Sequence, residues 1–298
     1  MTVIDLPISK KSLIRRIVDN RLVRFFALFI ITIGAYAGAQ ILPIVALPNI
    51  AAENRQMLAI AFEAASAIGL LLIYWLFVRW MEHRRVSEIS LTKAPAGIPA
   101  GVLIGAGLFT VTIAILSVVG VAHVGGYNAG QALLAAINMA ILSAIGEEIV
   151  FRGVVFRIFE EMFGTFIALL VSAALFGLIH MGNPGATALS GAAIALEAGL
   201  LLGVAYAVTR SLWLPIGLHF GWNFAESGIF GSIVSGNSFK GLYTTTMTGP
   251  DLLTGGKFGP EASVVAVAVC AAATLVILIV AIRRGEWRGL RFAINDRG

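Results

Sequence analysis

The sequence predicts an all-α fold, a polytopic membrane helical bundle of about eight transmembrane helices. Hydrophobic residues make up 58% of the 298 residues and charged residues 12%, whereas soluble domains average roughly 45 to 50% apolar and 25% charged residues. The mean hydropathy is +0.92. The apolar runs are long and lack the alternation of membrane strands, which favours helices over a β-barrel.

Each predicted span is an apolar run near the ~20 residues that a helix needs to cross a bilayer. The spans are predicted at 25–48, 57–80, 98–122, 130–158, 165–181, 186–208, 211–230 and 262–282. They divide the chain into a basic N-terminus (1–24), a bundle (25–283) and a basic C-terminus (284–298). The Gly-, Ser- and Thr-rich stretch 231–261 is predicted to be an extracytoplasmic loop over the bundle.

The basic residues fall on one side of the predicted membrane. Of the 21 Lys and Arg residues, only Arg55, Lys240 and Lys257 lie on the other side. By the positive-inside rule, both termini are predicted to be cytoplasmic. This placement accounts for the net charge of +5, so the lipid bilayer, and no nucleic acid, is the expected partner. The expected location is a bacterial or archaeal cell membrane.

Three polar clusters lie inside stretches that are predicted to be buried in lipid. An ionisable side chain at bilayer depth costs at least ~2.5 to 3.5 kcal/mol, so it is tolerated mainly in a bundle interior or a wet cavity. Carboxylates, imidazoles and a carboxamide are together the parts of a hydrolytic site. The clusters are Glu147 and Glu148 with Arg152, then His180, then His219 with Asn223.

Glu147 and His180 are predicted to meet at one depth in the membrane. Their helices form a hairpin that turns near Phe163. Each residue is about 16 positions from the turn, so at 1.5 Å per residue both lie roughly 24 Å from it. Arg157 and Glu160 suggest that the tip of the hairpin projects into water.

Glu147 and Glu148 are predicted to have different roles. Glu148 is four residues before Arg152, which places both on one helix face with the acid N-terminal, the preferred orientation. Glu147 points about 100° away, so it is free to face a cavity and to take part in general acid-base chemistry. The alternative interpretation is a buried ion pair with a spare acid.

The two histidines differ in how strongly they indicate a site. His180 ends an apolar helix just before Gly182-Asn183-Pro184-Gly185, and a lone histidine there is more often a packing residue than a catalyst. His219 and Asn223 are four residues apart and share one helix face. An imidazole and a carboxamide in one membrane helix need polar partners. All three clusters together favour a functional site.

Three ordered motifs carry a family resemblance. EExxxR falls at 147–152, FxxxH at 176–180 and HxxxN at 219–223. This arrangement resembles the CPBP family of intramembrane proteases, also called the Abi or type II CAAX prenyl endopeptidase family, over roughly 130–230. The resemblance implies an eight-helix fold and cleavage of a peptide bond within or near the membrane, with a peptide or a membrane protein as the substrate.

The resemblance also implies a role for each motif residue. Glu147 and His180 would activate the attacking water. His219 and Asn223 would stabilise the oxyanion. Glu148, with the arginine of its motif, would brace the site. A prenylated CAAX substrate belongs to eukaryotic-type members of the family, so the substrate of this chain is left open.

A zinc cofactor is also left open. Zinc binds His and carboxylate ligands and keeps one position for water, and Glu147, His180 and His219 could supply three ligands. No HExxH motif is present. A glutamate base with histidine and asparagine donors can hydrolyse a peptide bond without metal. The metal-free mechanism is the favoured interpretation.

Two other functions fit the same clusters. One is a non-enzymatic bacteriocin-immunity or scaffolding protein that binds its partner through the polar cavity. The other is a proton-coupled transporter with Glu147 and Glu197 as relay carboxylates. A relay needs neither a carboxamide nor a fixed pair of imidazoles, and the chain shows no internal repeat. The remaining polar residues within the spans, such as Glu63, Asn138 and Glu226, are interpreted as structural.

Overall fold

The computed structural model describes residues 19–46, 52–128, 132–290 and 292. Most of the predicted basic N-terminal segment and the end of the basic C-terminal segment lie outside the described residues. The described chain is an all-α membrane bundle, as predicted. In it, six helices are long and apolar enough to cross a membrane, so the predicted number of eight is not confirmed.

The bundle consists of eleven helical elements in the described ranges, connected by turns and two small sheets. The helices are α1 (Arg21–Ala46), α2 (Ala52–Met81), α3 (Ala94–Val118), α4 (Ala132–Glu148), α5 (Arg157–Phe163), α6 (Thr165–His180), α7 (Ala188–Ile194), α8 (Leu200–Thr209), α9 (Trp213–Phe224), α10 (Asp251–Thr254) and α11 (Val264–Arg283). Short 3₁₀ turns are at Ser87–Ile89, Leu91–Lys93 and Pro260–Ala262.

Three π-helical segments continue these helices. They are Ile149–Phe156 between α4 and α5, Ala195–Gly199 between α7 and α8, and Ala225–Ile229 after α9. The two antiparallel sheets pair β1 (Ala122–Gly125) with β4 (Thr244–Met247), and β2 (Ile233–Val234) with β3 (Asn237–Ser238). The predicted loop 231–261 therefore has local structure of its own.

The six candidate spans match six of the eight predicted ones. They are Arg21–Val45, Met57–Met81, Ser87–Val118, Leu133–Phe163, Ala188–Thr209 and Val264–Arg283. The predicted fifth span is the shorter apolar helix α6, with 16 residues. An α-helix of that length rises about 24 Å, less than the ~30 Å of the hydrocarbon core. His180, at the end of this helix, therefore lies where the chain turns within the thickness of the bundle.

Glycines hold α9 close against α3. A Cβ on Gly105 would collide with the carbonyl oxygen of Leu218, and a Cβ on Gly101 would collide with the backbone of α9 in the same way. Gly217 and Gly221 make the reciprocal contacts with the backbone of α3. Small residues at four-residue spacing let membrane helices approach closely. This packing fixes the position of α9, which carries two of the predicted site residues.

The charged residues at the hairpin tip are paired, and two of the three are buried, while Glu161 keeps 29% of its side chain exposed. Whether the tip projects into water stays a prediction. Arg157 is 6% exposed and Glu160 is 2% exposed. Arg157 donates to Glu82 at 2.7 Å, and Arg210 donates to Glu160. Burial alone would raise the pKa of Glu82, but the Arg157 guanidinium outweighs it and holds that pKa below its ordinary value. The partners come from distant parts of the chain, so local spacing did not reveal them.

The loop 231–261 is held by hydrogen bonds within it and by pairing with a strand that follows α3. The backbone N–H and the hydroxyl of Ser235 both donate to Glu261, at 2.7 and 2.6 Å. The strand β4 of this loop pairs with β1, which follows α3. Which side of the membrane this loop faces stays a prediction.

Candidate active site

A cavity of about 450 Å³ lies within the bundle and reaches the loop 231–261. Four of the six predicted site residues line it, and they come from three different helices: Glu147, His180, His219 and Asn223. The other two, Glu148 and Arg152, lie behind its wall and are fully buried. The tertiary structure thus brings all three sequence clusters to one place.

Glu147 lies between the two imidazoles. Its Oε2 atom is 3.8 Å from Nε2 of His180 and 3.9 Å from Nε2 of His219. This oxygen is buried and has no hydrogen-bond partner, whereas Oε1 accepts a hydrogen bond of 3.0 Å from the Tyr36 hydroxyl. The hairpin between α4 and α6 therefore brings Glu147 and His180 together, as the equal distances from the turn indicated.

The Glu148–Arg152 pair forms where the helix changes its winding. The α-helix ends at Glu148 and continues as a π-helical segment, a feature that is frequent at functional sites. Arg152 donates to Glu148 at 2.8 Å and to the carbonyl oxygens of Ala198 and Gly199 at 3.2 and 3.1 Å. Its guanidinium also lies 4.7 Å from the centre of the Phe176 ring. The arginine thus links the acid to two other helical segments.

His219 is oriented by Glu148. Its Nδ1 atom is 3.1 Å from the same Glu148 oxygen that Arg152 contacts. An ionised carboxylate only accepts hydrogen bonds, so Nδ1 carries the hydrogen and donates. The Nε2 atom then faces Glu147, as an acceptor when the ring is neutral and as a donor when the ring is an imidazolium.

His180 is oriented by its own helix. Its Nδ1 atom is 2.7 Å from the carbonyl oxygen of Phe176, one turn earlier. A carbonyl only accepts, so Nδ1–H donates and the neutral ring presents Nε2 as an acceptor to the cavity. The Phe176 and His180 rings also lie 4.6 Å apart. Each histidine therefore points its Nε2 atom towards the same Glu147 oxygen.

Asn223 is held by a residue that the sequence motifs do not include. Its Nδ2 atom donates to the Ser143 hydroxyl at 3.2 Å, and that hydroxyl donates to the carbonyl oxygen of Met139 at 2.9 Å. Ser143 precedes Glu147 by four residues and lines the same cavity. That spacing, which places both on one helix face, is the signal that would have found it.

The first helix supplies a contact that sequence reasoning missed. Tyr36 donates to Glu147, and Gln40 donates to the Tyr36 hydroxyl oxygen at 2.9 Å. Both residues line the cavity. They are four residues apart in a predicted span, and this spacing is the only signal that the sequence offered for them.

Two further acids lie in the cavity wall. Glu197 is 2% exposed and accepts from the Cys270 thiol at 3.1 Å. Glu261 is 3% exposed and belongs to the segment before α11. Burial raises the pKa of Glu261, although the hydrogen bonds from Ser235 partly counter this.

The predicted zinc ligands are not arranged as one coordination sphere. Among the described residues, no group of three or more His, Cys, Asp and Glu is placed to hold a metal ion. Glu147 Oε2 lies 3.8 and 3.9 Å from the Nε2 atoms of His180 and His219. Ligands around one tetrahedral zinc at about 2.0 to 2.1 Å would lie roughly 3.4 Å apart. Each of these two separations is about 0.4 to 0.5 Å longer than that.

Comparison with known proteins gives one family match. A search of curated proteins and a search of solved structures each found no match. A scan against family models matches residues 129–225, about a third of the chain, to the family described as type II CAAX prenyl endopeptidase Rce1-like. That segment contains all six predicted site residues. The match supports an intramembrane endopeptidase in general terms, and it confirms the resemblance: this segment of the chain is similar to the Rce1-like type II CAAX prenyl endopeptidase family.

Proposed function

We propose that this chain is a membrane-embedded endopeptidase that hydrolyses a peptide bond with a water activated by Glu147. The observation that carries the proposal is the buried Oε2 atom of Glu147, which has no hydrogen-bond partner. This atom faces Nε2 of both His180 and His219 in a cavity of a membrane bundle. A carboxylate base beside two imidazoles and a carboxamide suits the hydrolysis of an amide. The substrate is a peptide or a membrane protein.

In the first step, Glu147 and His180 prepare the water. The free Glu147 oxygen takes one proton from the water, and Nε2 of the neutral His180 accepts a hydrogen bond from its other hydrogen. The hydroxide oxygen then forms a bond to the carbonyl carbon of the substrate. A positioned general base typically accelerates a reaction by ~10² to 10⁴.

In the tetrahedral intermediate, His219 and Asn223 face the oxyanion. The Nδ1–H of His219 is already used by Glu148, so donation from Nε2 requires the imidazolium form. A carboxylate at Nδ1 stabilises a positive ring, and Arg152 holds that carboxylate in place. Asn223 has two N–H groups and donates one to Ser143, which leaves the other for the oxyanion.

The last step returns the proton. The C–N bond of the substrate breaks, and the protonated Glu147 gives its proton to the leaving amine. The products are a carboxylic acid and an amine, and Glu147 is again a carboxylate. The same acid thus acts as base and then as acid, which needs its Oε2 atom to be free of other partners, as observed.

We predict that Asn223→Ala lowers kcat by about 10² to 10³, the usual effect of losing one oxyanion donor, and leaves KM largely unchanged. Steady-state kinetics of the purified variant on an identified substrate measure both. Asn138→Ala is the matched control, since it removes a carboxamide from α4 that does not line the cavity. A raised KM with an unchanged kcat would assign Asn223 to substrate binding instead.

We also predict that chelation leaves the activity intact, because the mechanism uses only side chains of this chain. Elemental analysis of active, purified protein and assays before and after chelator treatment measure this. Stoichiometric zinc that is lost together with activity, and that restores activity when added back, would overturn the prediction. It would make His219 a metal ligand rather than an oxyanion donor.

The substrate and the activity are tested together by comparing membranes that contain the wild-type chain with membranes that contain Glu147→Ala. New peptide termini that appear only with the wild type identify substrates and cleavage sites. Membrane proteomes that do not differ in their termini would instead favour the immunity or scaffolding role.

A proton-coupled transporter is the second candidate, because Glu147 and Glu197 line the same cavity. Purified protein in proteoliposomes separates the two functions. A relay carries protons across the vesicle membrane in the absence of any peptide, whereas the peptidase does not.

A further inference from the structure

In the described structure, Tyr36 is the hydrogen-bond partner that the first helix provides for Glu147. Its hydroxyl donates a hydrogen bond of 3.0 Å to Oε1 of Glu147. Gln40, one turn further along α1, donates to the Tyr36 oxygen at 2.9 Å. A short chain of donors thus runs from Gln40 through Tyr36 to the carboxylate. Both residues lie outside the segment 129–225 that matches the family model.

This contact leaves Glu147 with two unlike oxygens. Oε1 is occupied by the phenol, whereas Oε2 is buried, has no hydrogen-bond partner and faces the two imidazoles. A carboxylate without the phenol could rotate about its last bond and present either oxygen to the water, because that torsion is broad and two-fold. The phenol removes this freedom and aims one oxygen at the reacting water.

The Tyr36 ring is also held in place by the backbone beside Glu147. A Cβ on Gly146 would collide with the ring carbons of Tyr36, so only glycine lets the ring pack this closely against α4. The glycine directly before the acid pair and the tyrosine of α1 therefore form one fitted contact. That fit distinguishes the phenol from a side chain that merely lies nearby.

We propose that Tyr36 is a positioning residue for Glu147, which fixes the carboxylate rotamer through Oε1 and leaves Oε2 as the oxygen that takes the proton of water. This rests on the proposed function, because it assigns Glu147 to the water. Tyr36 touches neither substrate nor water in this role and acts through Glu147. The first helix, outside the matched segment, thereby completes the site.

The charged and titratable groups around Glu147 come from five elements. They are Tyr36 of α1, Glu63 of α2, which interacts with that tyrosine, Glu148 of α4 and Arg152 of its π-helical continuation, His180 of α6 and His219 of α9. Removal of the phenol hydroxyl changes only one of these groups.

The experiment compares Tyr36→Phe with Tyr206→Phe. Tyr36→Phe keeps the ring that packs on Gly146 and deletes only the donor. We expect kcat to fall by about 10- to 100-fold, the worth of a hydrogen bond to a charged group, with KM changed less than about threefold. Gln40→Leu should cause a smaller loss of the same kind. Tyr206, which is 4% exposed and packs on Phe156 away from the cavity, should tolerate the same substitution.

A second readout does not depend on turnover. The infrared carboxylate band of Glu147, isolated as the difference between wild type and Glu147→Gln, is expected to shift in Tyr36→Phe and to stay in place in Tyr206→Phe. An unchanged band, or a wild-type kcat in a folded Tyr36→Phe, would overturn the positioning role. If Glu147→Gln kept full cleavage, the proposed function would fail, while the band would still decide whether Tyr36 holds the carboxylate.

Discussion

Glu147→Gln is expected to abolish proteolysis and to leave the folded protein in the membrane. The amide keeps the volume of the carboxylate and can still accept a hydrogen bond from Tyr36, but it cannot take a proton from water. The loss is at least the ~10² to 10⁴ of a general base. It is larger here because the same group also returns the proton to the leaving amine. Product formation by the purified variant, assayed beside the wild type at equal folded concentration, measures it.

Glu197→Gln is the matched control for this prediction. It makes the same change to a second glutamate in the wall of the same cavity, which has no part in the hydrolytic steps. We expect this variant to keep cleaving the substrate. A Glu147→Gln variant with full cleavage would show that the general-base assignment is wrong, and loss of proton transport in both variants would favour the relay.

Arg152→Ala is expected to lower the yield and the stability of the folded protein. Arg152 and Glu148 are both fully buried and lie 2.8 Å apart. Removal of the arginine leaves the buried Glu148 carboxylate without its guanidinium partner and two helix carbonyls without their donor. Breaking a buried pair from one side costs about 3 to 5 kcal/mol. Thermal unfolding of the purified protein in detergent, together with the monodisperse fraction from equal amounts of membrane, measures the effect.

Two further variants identify the cause. If the loss comes from the unpaired charge of Glu148, Glu148→Gln combined with Arg152→Ala should recover part of the stability. It should not recover the activity, since His219 loses its charged partner. Arg288→Ala is the control, because that arginine also pairs with a glutamate but its side chain is 47% exposed. Its glutamate, Glu160, keeps Arg210 as a partner, so we expect a smaller loss than in Arg152→Ala. Equal losses in Arg288→Ala and Arg152→Ala would contradict the account.

The helical membrane fold and the candidate site were largely predictable, because both depend on short-range patterns. Long apolar runs report helices that cross a bilayer. Four-residue spacing reports which side chains share a helix face, and it placed Glu148 beside Arg152 and His219 near Asn223. Equal distances from one hairpin turn placed Glu147 beside His180. Each of these inferences needs only the rise and rotation of a helix.

What the tertiary structure alone decided concerns groups that are far apart in the chain. Tyr36 reaches Glu147 across 111 positions, and Arg157 reaches Glu82 across 75. Spacing therefore did not show that Arg157 and Glu160 at the hairpin tip are buried in ion pairs. The predicted number of eight spans was also not confirmed, since the 16-residue α6 is shorter than the thickness of the hydrocarbon core. Spacing along one helix cannot report these contacts, because they depend on how closely the helices pack. The contact between Gly146 and Tyr36, for example, needs both the missing side chain of the glycine and the ring of the tyrosine.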